Sequence, residues 1–338
     1  MITQAASSVI LIRPTGFGYD PETAASNTFQ QRITDPEVKS RAAEEFDELL
    51  EALRTCGIGF TVLDPFDPQA PNGVFPNNWF STHADGTVVL YPMLTASRRA
   101  ERDPDLEQLL KAEGFKTRQT LDFSGWEHRG LILEGTGSLV LDRVNKKAFA
   151  CLSERTTERA VNAWCESMGY TPVTFVATED GRIPDGGGVR GIPVYHTNVV
   201  MSIGEGFAVV CLDAMPFPAE RQEVREELEK SGKEVITIGI EQMQHFLGNM
   251  LQMKASSDQL IASSGSRAFS PSPSGEGSGV RPHFIFLSET AFKQLRPEQR
   301  IALQGHGQLV PVAIPTIEAV GGGSVRCMLA ENFLQRSS

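Results

Sequence analysis

The sequence predicts an α/β fold made of repeated units in which paired strands are joined by single helices. Three observations carry that reading. Short runs rich in valine, isoleucine, leucine and phenylalanine recur from end to end, as buried strands do. Segments with helical spacing of apolar residues stand between them, and the junctions are crowded with glycine, proline, asparagine and aspartate. The pattern cycles about five times over 338 residues with no visible sequence identity between cycles, so it is a repeat of pattern only.

Residues 9–13 read as a strand closed by Pro14, followed by a turn-rich stretch in which Phe17, Gly18 and Tyr19 are placed to line a pocket mouth. Over 38–56, Phe46, Leu49, Leu50 and Leu53 follow the i, i+3, i+4, i+7 rule of an amphipathic helix, which Gly57 ends. A strand at 60–63 completes the first strand–helix–strand unit. The next has a strand at 87–91 and a helical stretch over 96–113. Strands at 138–141 and 147–152 pair as a hairpin before a helix at 156–168 and a strand at 172–176. A strand over 194–201 carries His196, and 207–212, 219–231 and 234–238 read as strand, helix and strand. A short helix at 241–246 leads to Gly248-Asn249-Met250-Leu251, another loop-to-strand junction. The Ser/Gly/Pro-rich stretch 263–281 has too few apolar groups to pack and is expected to be a mobile surface insertion interrupting a hairpin. A strand at 283–287, helices at 288–295 and 297–303, and a strand over 308–314 then lead to Cys327. One domain over 1–338 is expected.

Composition excludes several functions. A net charge of −11 and a pI near 5.1, without a basic cluster, disfavour nucleic acid and anionic membrane as partners. Five cysteines, an odd number with no CxxC pair, argue against a disulfide framework and against a zinc site. Reduced thiols in a cytoplasm are the expectation. The apolar run Val9-Ile10-Leu11-Ile12 is too short for a signal core or a membrane span. Self-association as a homo-oligomer is compatible with the sequence.

Four junctions hold residues with chemistry. Near the C-terminus, Gly321-Gly322-Gly323-Ser324-Val325-Arg326-Cys327-Met328 sets a thiol where a flexible loop meets what reads as the start of a buried strand, with Arg326 as a cationic neighbour. A buried cysteine is also an ordinary small hydrophobe, so partners must decide. Val194-Tyr195-His196-Thr197-Asn198 places an imidazole after a glycine-rich loop, where it is either a structural residue or a base. Glu134, after Leu131-Ile132-Leu133, either faces water or is paired with a cation, because an unpaired buried carboxylate is costly. Phe75-Pro76-Asn77-Asn78-Trp79-Phe80 is either an Asx turn or a set of amides that bind a polar ligand. Arg13, Arg190 and Arg326 are candidates to grip a substrate carboxylate.

In this order the motifs Phe75-Pro76-Asn77-Asn78, Leu133-Glu134-Gly135, His196-Thr197-Asn198 and the Cys327 segment resemble the pentein superfamily of guanidine-modifying enzymes, closest to its citrulline-utilization hydrolase branch. The resemblance runs nearly end to end. It implies a five-bladed α/β propeller of pseudo-fivefold ββαβ units around a polar channel, a closure that periodicity alone does not show. It further implies Cys327 as nucleophile, His196 as general acid/base and Glu134 as the carboxylate orienting His196 or the substrate. Asn77, Asn78, Asn198, Arg326 and Phe75 become the substrate-binding set, with no metal or cofactor. The deiminases of that superfamily carry aspartate at the positions of Asn78 and Asn198. Two amides in place of two carboxylates suit a neutral ureido group, so the expected substrate is a small amino acid, citrulline, cleaved to ornithine, ammonia and carbon dioxide. Arginine deiminase or dihydrolase activity and amidino transfer on the same site stay open, as does a non-catalytic amino-acid-binding protein.

Overall fold

The computed structural model describes residues 3–184, 191–256 and 282–337. The expected insertion at 263–281 and Arg190 lie outside the described residues.

Among the described residues, fifteen strands form five three-stranded sheets. The first sheet holds β1 (Ser8–Ile12) at its centre, parallel to β2 (Gly59–Leu63) and antiparallel to β15 (Ala330–Asn332). Chain start and chain end therefore share a sheet. The same plan recurs in β3 (Phe80–Thr82), β4 (Thr87–Leu90) and β5 (Gln119–Asp122), and in β6 (Val140–Asp142), β7 (Lys147–Cys151) and β8 (Thr171–Phe175). It returns in β9 (Met201–Ile203), β10 (Phe207–Val210) and β11 (Glu234–Thr237), and in β12 (Leu251–Lys254), β13 (His283–Ser288) and β14 (Gln308–Val312). In each sheet the middle strand is antiparallel to one neighbour and parallel to the other, which it reaches through a helical crossover, and β15 reaches β1 from the far end of the chain. Parallel neighbours need a long connection, which is why one or two helices follow each middle strand.

The expected helices form where the apolar stripe is strong. Val38–Thr55 buries Val38, Ala42, Phe46, Leu49 and Leu53, and Gly57 at φ +64° turns the chain out of it. Its buried Glu45 accepts the backbone N–H groups of Thr316 and Ile317, 2.8 and 2.9 Å away, and so fixes the approach to the glycine run. One expectation is corrected. The stretch 96–113 is two helices, Ala96–Arg99 and Leu106–Ala112, because Pro104 and its flanking aspartates break the hydrogen-bond ladder. A second correction concerns 194–201: Thr197–Val200 is a single helical turn with an extended His196 at its N-cap, and the strand begins only at Met201. A third is the segment after the glycines, where Val325–Met328 is a helical turn before β15 instead of the start of a strand. No described helix is long and apolar enough to cross a membrane.

Candidate active site

In every sheet the first strand, the one antiparallel to the middle strand (β15, β3, β6, β9 and β12), is preceded by a short turn, and these five turns supply the candidate groups. Asn77 and Asn78 lie in the turn Pro76–Asn78 before β3, Glu134 caps Gly135–Ser138 before β6, and His196 caps Thr197–Val200 before β9. Asn249 precedes β12, and Cys327 lies in Val325–Met328 before β15. All six side chains are buried.

Glycine lets these turns meet. A Cβ on Gly137 would lie 2.4 Å from Asn78 Nδ2 and 2.8 Å from His196 Nδ1. Gly322, at φ +63°, could not take a side chain without meeting Gln30 and Asn27. The turns are also cross-linked: Thr136 Oγ1 donates to the Asn77 carbonyl at 3.3 Å, and Ser138 Oγ donates to the Arg155 carbonyl at 2.8 Å while accepting from the Glu134 N–H.

His196 Nε2 lies 2.7 Å from Glu134 Oε2. The other carboxylate oxygen accepts the Leu94 N–H at 3.0 Å, and Arg155 Nη1 approaches Glu134 Oε2 at 3.5 Å. Burial alone would raise the Glu134 pKa, but the Arg155 charge, the His196 hydrogen bond and Arg98 outweigh it and hold the carboxyl well below its ordinary range. Burial lowers the His196 pKa to about 4, since the pull of Glu134 is countered by Arg155 and Arg98. At neutral pH the pair is thus a carboxylate and a neutral imidazole whose Nε2–H donates, which leaves Nδ1 as the nitrogen able to accept a proton.

Two amides address the sulfur. Asn198 Nδ2 and Asn249 Nδ2 each stand 3.4 Å from Cys327 Sγ, a geometry that stabilises negative charge there. Asn249 is itself fixed, donating to the Asn198 carbonyl at 3.0 Å and accepting the Arg326 N–H at 3.0 Å. The thiols of Cys56, Cys151, Cys165 and Cys211 are pushed up to about 12 by burial.

Cys327, His196, Asn78 and Phe75 line one small cavity with Arg98, Arg155 and Tyr195. Arg98 donates to Asn78 Oδ1 at 3.1 Å and to the Phe75 carbonyl at 3.3 Å, and Asn78 Nδ2 donates to Asn77 Oδ1 at 3.0 Å. No carboxylate is among the lining residues described, although Glu134 stands directly behind His196. Asn27 and Gln30 close the outer side by donating to the carbonyls of Gly322 and Gly321, at 3.1 and 2.9 Å.

The structure therefore brings Cys327, His196, Glu134, Asn78, Asn77, Asn198 and Phe75 together. It turns the Arg326 side chain elsewhere: its guanidinium donates to Glu331 and to the Leu329 carbonyl, both at 2.8 Å, and it does not line the cavity. Arg13 pairs with Asp64 at the surface. Phe17 is buried against Gly321 and does not line the cavity. Sequence reasoning missed Arg98, Arg155 and Asn249. Only Asn249 had a signal, its place at a loop-to-strand junction like the other four. Among the described residues no group of three or more histidines, cysteines, aspartates or glutamates is arranged to hold a metal ion.

A family model described as "N,N dimethylarginine dimethylhydrolase, eukaryotic" matches residues 13–334. The chain belongs to this family. It is thereby a pentein, and a hydrolase of non-peptide C–N bonds in arginine-type substrates. Among solved structures, the substrate-bound N-terminal domain of ArgZ, an arginine dihydrolase from the ornithine-ammonia cycle in cyanobacteria, is similar in fold with a TM-score of 0.66. The identity is 13%, over 95% of this chain and 96% of that one. Against full-length ArgZ the same match spans 40% of the larger chain. DDAH from Pseudomonas aeruginosa complexed with citrulline is similar with a TM-score of 0.61 and 14% identity, over 97% of this chain and 100% of that one. No curated protein matches.

Proposed function

We propose that this pentein hydrolyses the ureido group of citrulline to ornithine, ammonia and carbon dioxide through a covalent intermediate on Cys327. The observation that carries the proposal is the charge of the cavity lining, which holds the guanidinium groups of Arg98 and Arg155 and no carboxylate among the described residues. A cationic guanidine would enter beside two fixed cations, each with its carboxylate partner behind it, Glu101 at 2.7 Å from Arg98 and Glu134 at 3.5 Å from Arg155. Apart from those cations it would find only uncharged side chains such as Asn78, Asn27 and Gln30 in the lining itself, at a cost in electrostatic energy. A urea carries no charge, and an amide offers it both a donor and an acceptor. The two guanidiniums suit the α-carboxylate of an amino acid.

In this reading Cys327 Sγ attacks the ureido carbon, with Asn198 and Asn249 steadying the sulfur's charge before attack. His196 Nδ1 accepts the thiol proton and returns it to the departing nitrogen, and Glu134 holds the ring and stabilises the imidazolium that forms. Water then cleaves the S–C bond and returns the proton to Cys327, and the carbamate released loses carbon dioxide to free the second nitrogen. One citrulline and one water give one ornithine, one ammonia and one carbon dioxide, so no acceptor amine and no cofactor is needed.

We further infer that the five sheets are blades of one closed propeller within a single domain. In support, β1 and β15 share a sheet across the termini, and the first strands touch in sequence, β15 with β3, β6 with β9 and β9 with β12.

The test is product analysis with purified protein. Incubation with citrulline and no acceptor amine is expected to release ornithine and ammonia in equal amounts. Conversion of arginine with citrulline left untouched would overturn the ureido assignment.

A further inference from the structure

The five first strands have a second end, opposite the turns that carry Cys327, His196 and Glu134. There the connection after β3 (His83 to Gly86), the connection after β6 (Arg143 to Lys146), the residues after β15 and the end of β12 border an open cleft of about 600 Å³. Against a chain with a net charge of −11, this cleft is lined by Arg143, Lys146 and Lys254, and the one carboxylate among its described lining residues, Asp85, is held by Arg118 at 2.8 Å.

The cations there are poorly neutralised. Arg143, buried, approaches Glu331 Oε2 at 3.4 Å, but that same oxygen accepts from Arg326 at 2.8 Å, so one carboxylate serves two guanidiniums. Lys146 makes no ion pair among the described residues, and its ammonium sits over the Tyr170 ring, 4.5 Å from the centroid. It is held there by a left-handed backbone at φ 55°, which is uncommon for a lysine. Burial, with repulsion by Arg143 and Lys146, drives the neighbouring His83 down to about 3. Asn332 lines the same cleft, and its buried Nδ2 has no hydrogen-bond partner. Two like charges kept close together, with an amide donor unused beside them, are what an anion would complete.

We propose that this cleft is a second ligand site, separate from the catalytic cavity, which takes a small multivalent oxyanion, a carboxylate- or phosphate-bearing metabolite, on Arg143, Lys146 and Lys254. The site is independent of the reaction assigned to Cys327.

The experiment titrates the full-length protein with citrate and, separately, with inorganic phosphate, by calorimetry at constant ionic strength set with sodium chloride. Saturable binding is expected, and the stronger of the two probes tells carboxylate from phosphate chemistry. Lys146→Asn removes the charge while keeping a residue that tolerates positive φ, and it is expected to weaken binding about fivefold, as is Lys254→Gln. Lys230→Gln, an exposed helical lysine that does not line the cleft, and Cys327→Ala are expected to bind as the wild type does. Thermal melting confirms that each variant is folded. Absence of saturable binding by either probe, or equal loss in Lys230→Gln, or unchanged affinity in both Lys146→Asn and Lys254→Gln, would overturn the proposal.

Discussion

The two ends of the same first strands are built for different work. At one end five glycine-rich or amide-rich turns fold inward, and their thiol, imidazole, carboxylate and amides are buried and mutually bonded. At the other, the connections after β3 and β6 splay apart and leave Arg143 and Lys146 beside an open cleft. The difference lies in what each end must supply. A reacting carbon needs groups fixed within tenths of an ångström in a dry cavity, whereas holding an ion needs only net charge and space. Backbone choice follows: Gly137 is required because a side chain would collide with Asn78 and His196, while Lys146 takes positive φ at the far end with nothing but a strained backbone to offset.

Substitutions at the inward end should separate the two most sharply. Cys327→Ala is expected to lower turnover by at least about 10⁴-fold with the melting temperature little changed, since only one buried sulfur is lost. Residual turnover near wild type in a steady-state assay would place the nucleophile elsewhere. Gly137→Ala should displace Asn78 and His196 and cost roughly 10²-fold or more in kcat, a loss that ligand binding in the far cleft does not share. A fully active Gly137→Ala would show that the tight approach is not functional. Asn249→Ala removes one of the two donors to Cys327 Sγ and leaves the Arg326 N–H unpaired. About 10- to 10²-fold in kcat is expected, with roughly 1–3 kcal/mol of stability lost in denaturant unfolding. Loss of stability alone would make Asn249 purely structural.

The smallest perturbation is protonation. His196 is held neutral, so its imidazole ¹⁵N signals should report the Nε2–H tautomer through pH 7 to 5 and titrate only near pH 4. The folded value lies below the unfolded one near 6.5, so the unfolded chain takes up this proton first. The His196 contribution to stability is therefore complete above the unfolded value and is lost as pH falls toward 4. A midpoint near 6.5 in the native protein would mean that Glu134 fully offsets burial and the two guanidiniums.

Much of this was legible in the sequence. Strand and helix spacing located most elements, and the order of Asn78, Glu134, His196 and Cys327 located four of the five turns. The errors have a common cause. Single helical turns such as Thr197–Val200 and Val325–Met328 are too short to show a period, and β-branched residues there read as strand. Arg98 read only as part of one helical stretch over 96–113, yet the break near Pro104 isolates a short helix in which Arg98 is buried. Arg326 is the reverse case: next to the nucleophile in sequence, its side chain is taken by Glu331 and Leu329, because alternate positions on a tight turn face opposite ways.

The claim that most needs testing is that a cavity lined by two guanidiniums and by amides selects a neutral headgroup. Steady-state kcat/KM for citrulline and for arginine, measured on the wild-type protein in one buffer, tests it directly. The account predicts a ratio well above one in favour of citrulline; a ratio well below one would contradict it.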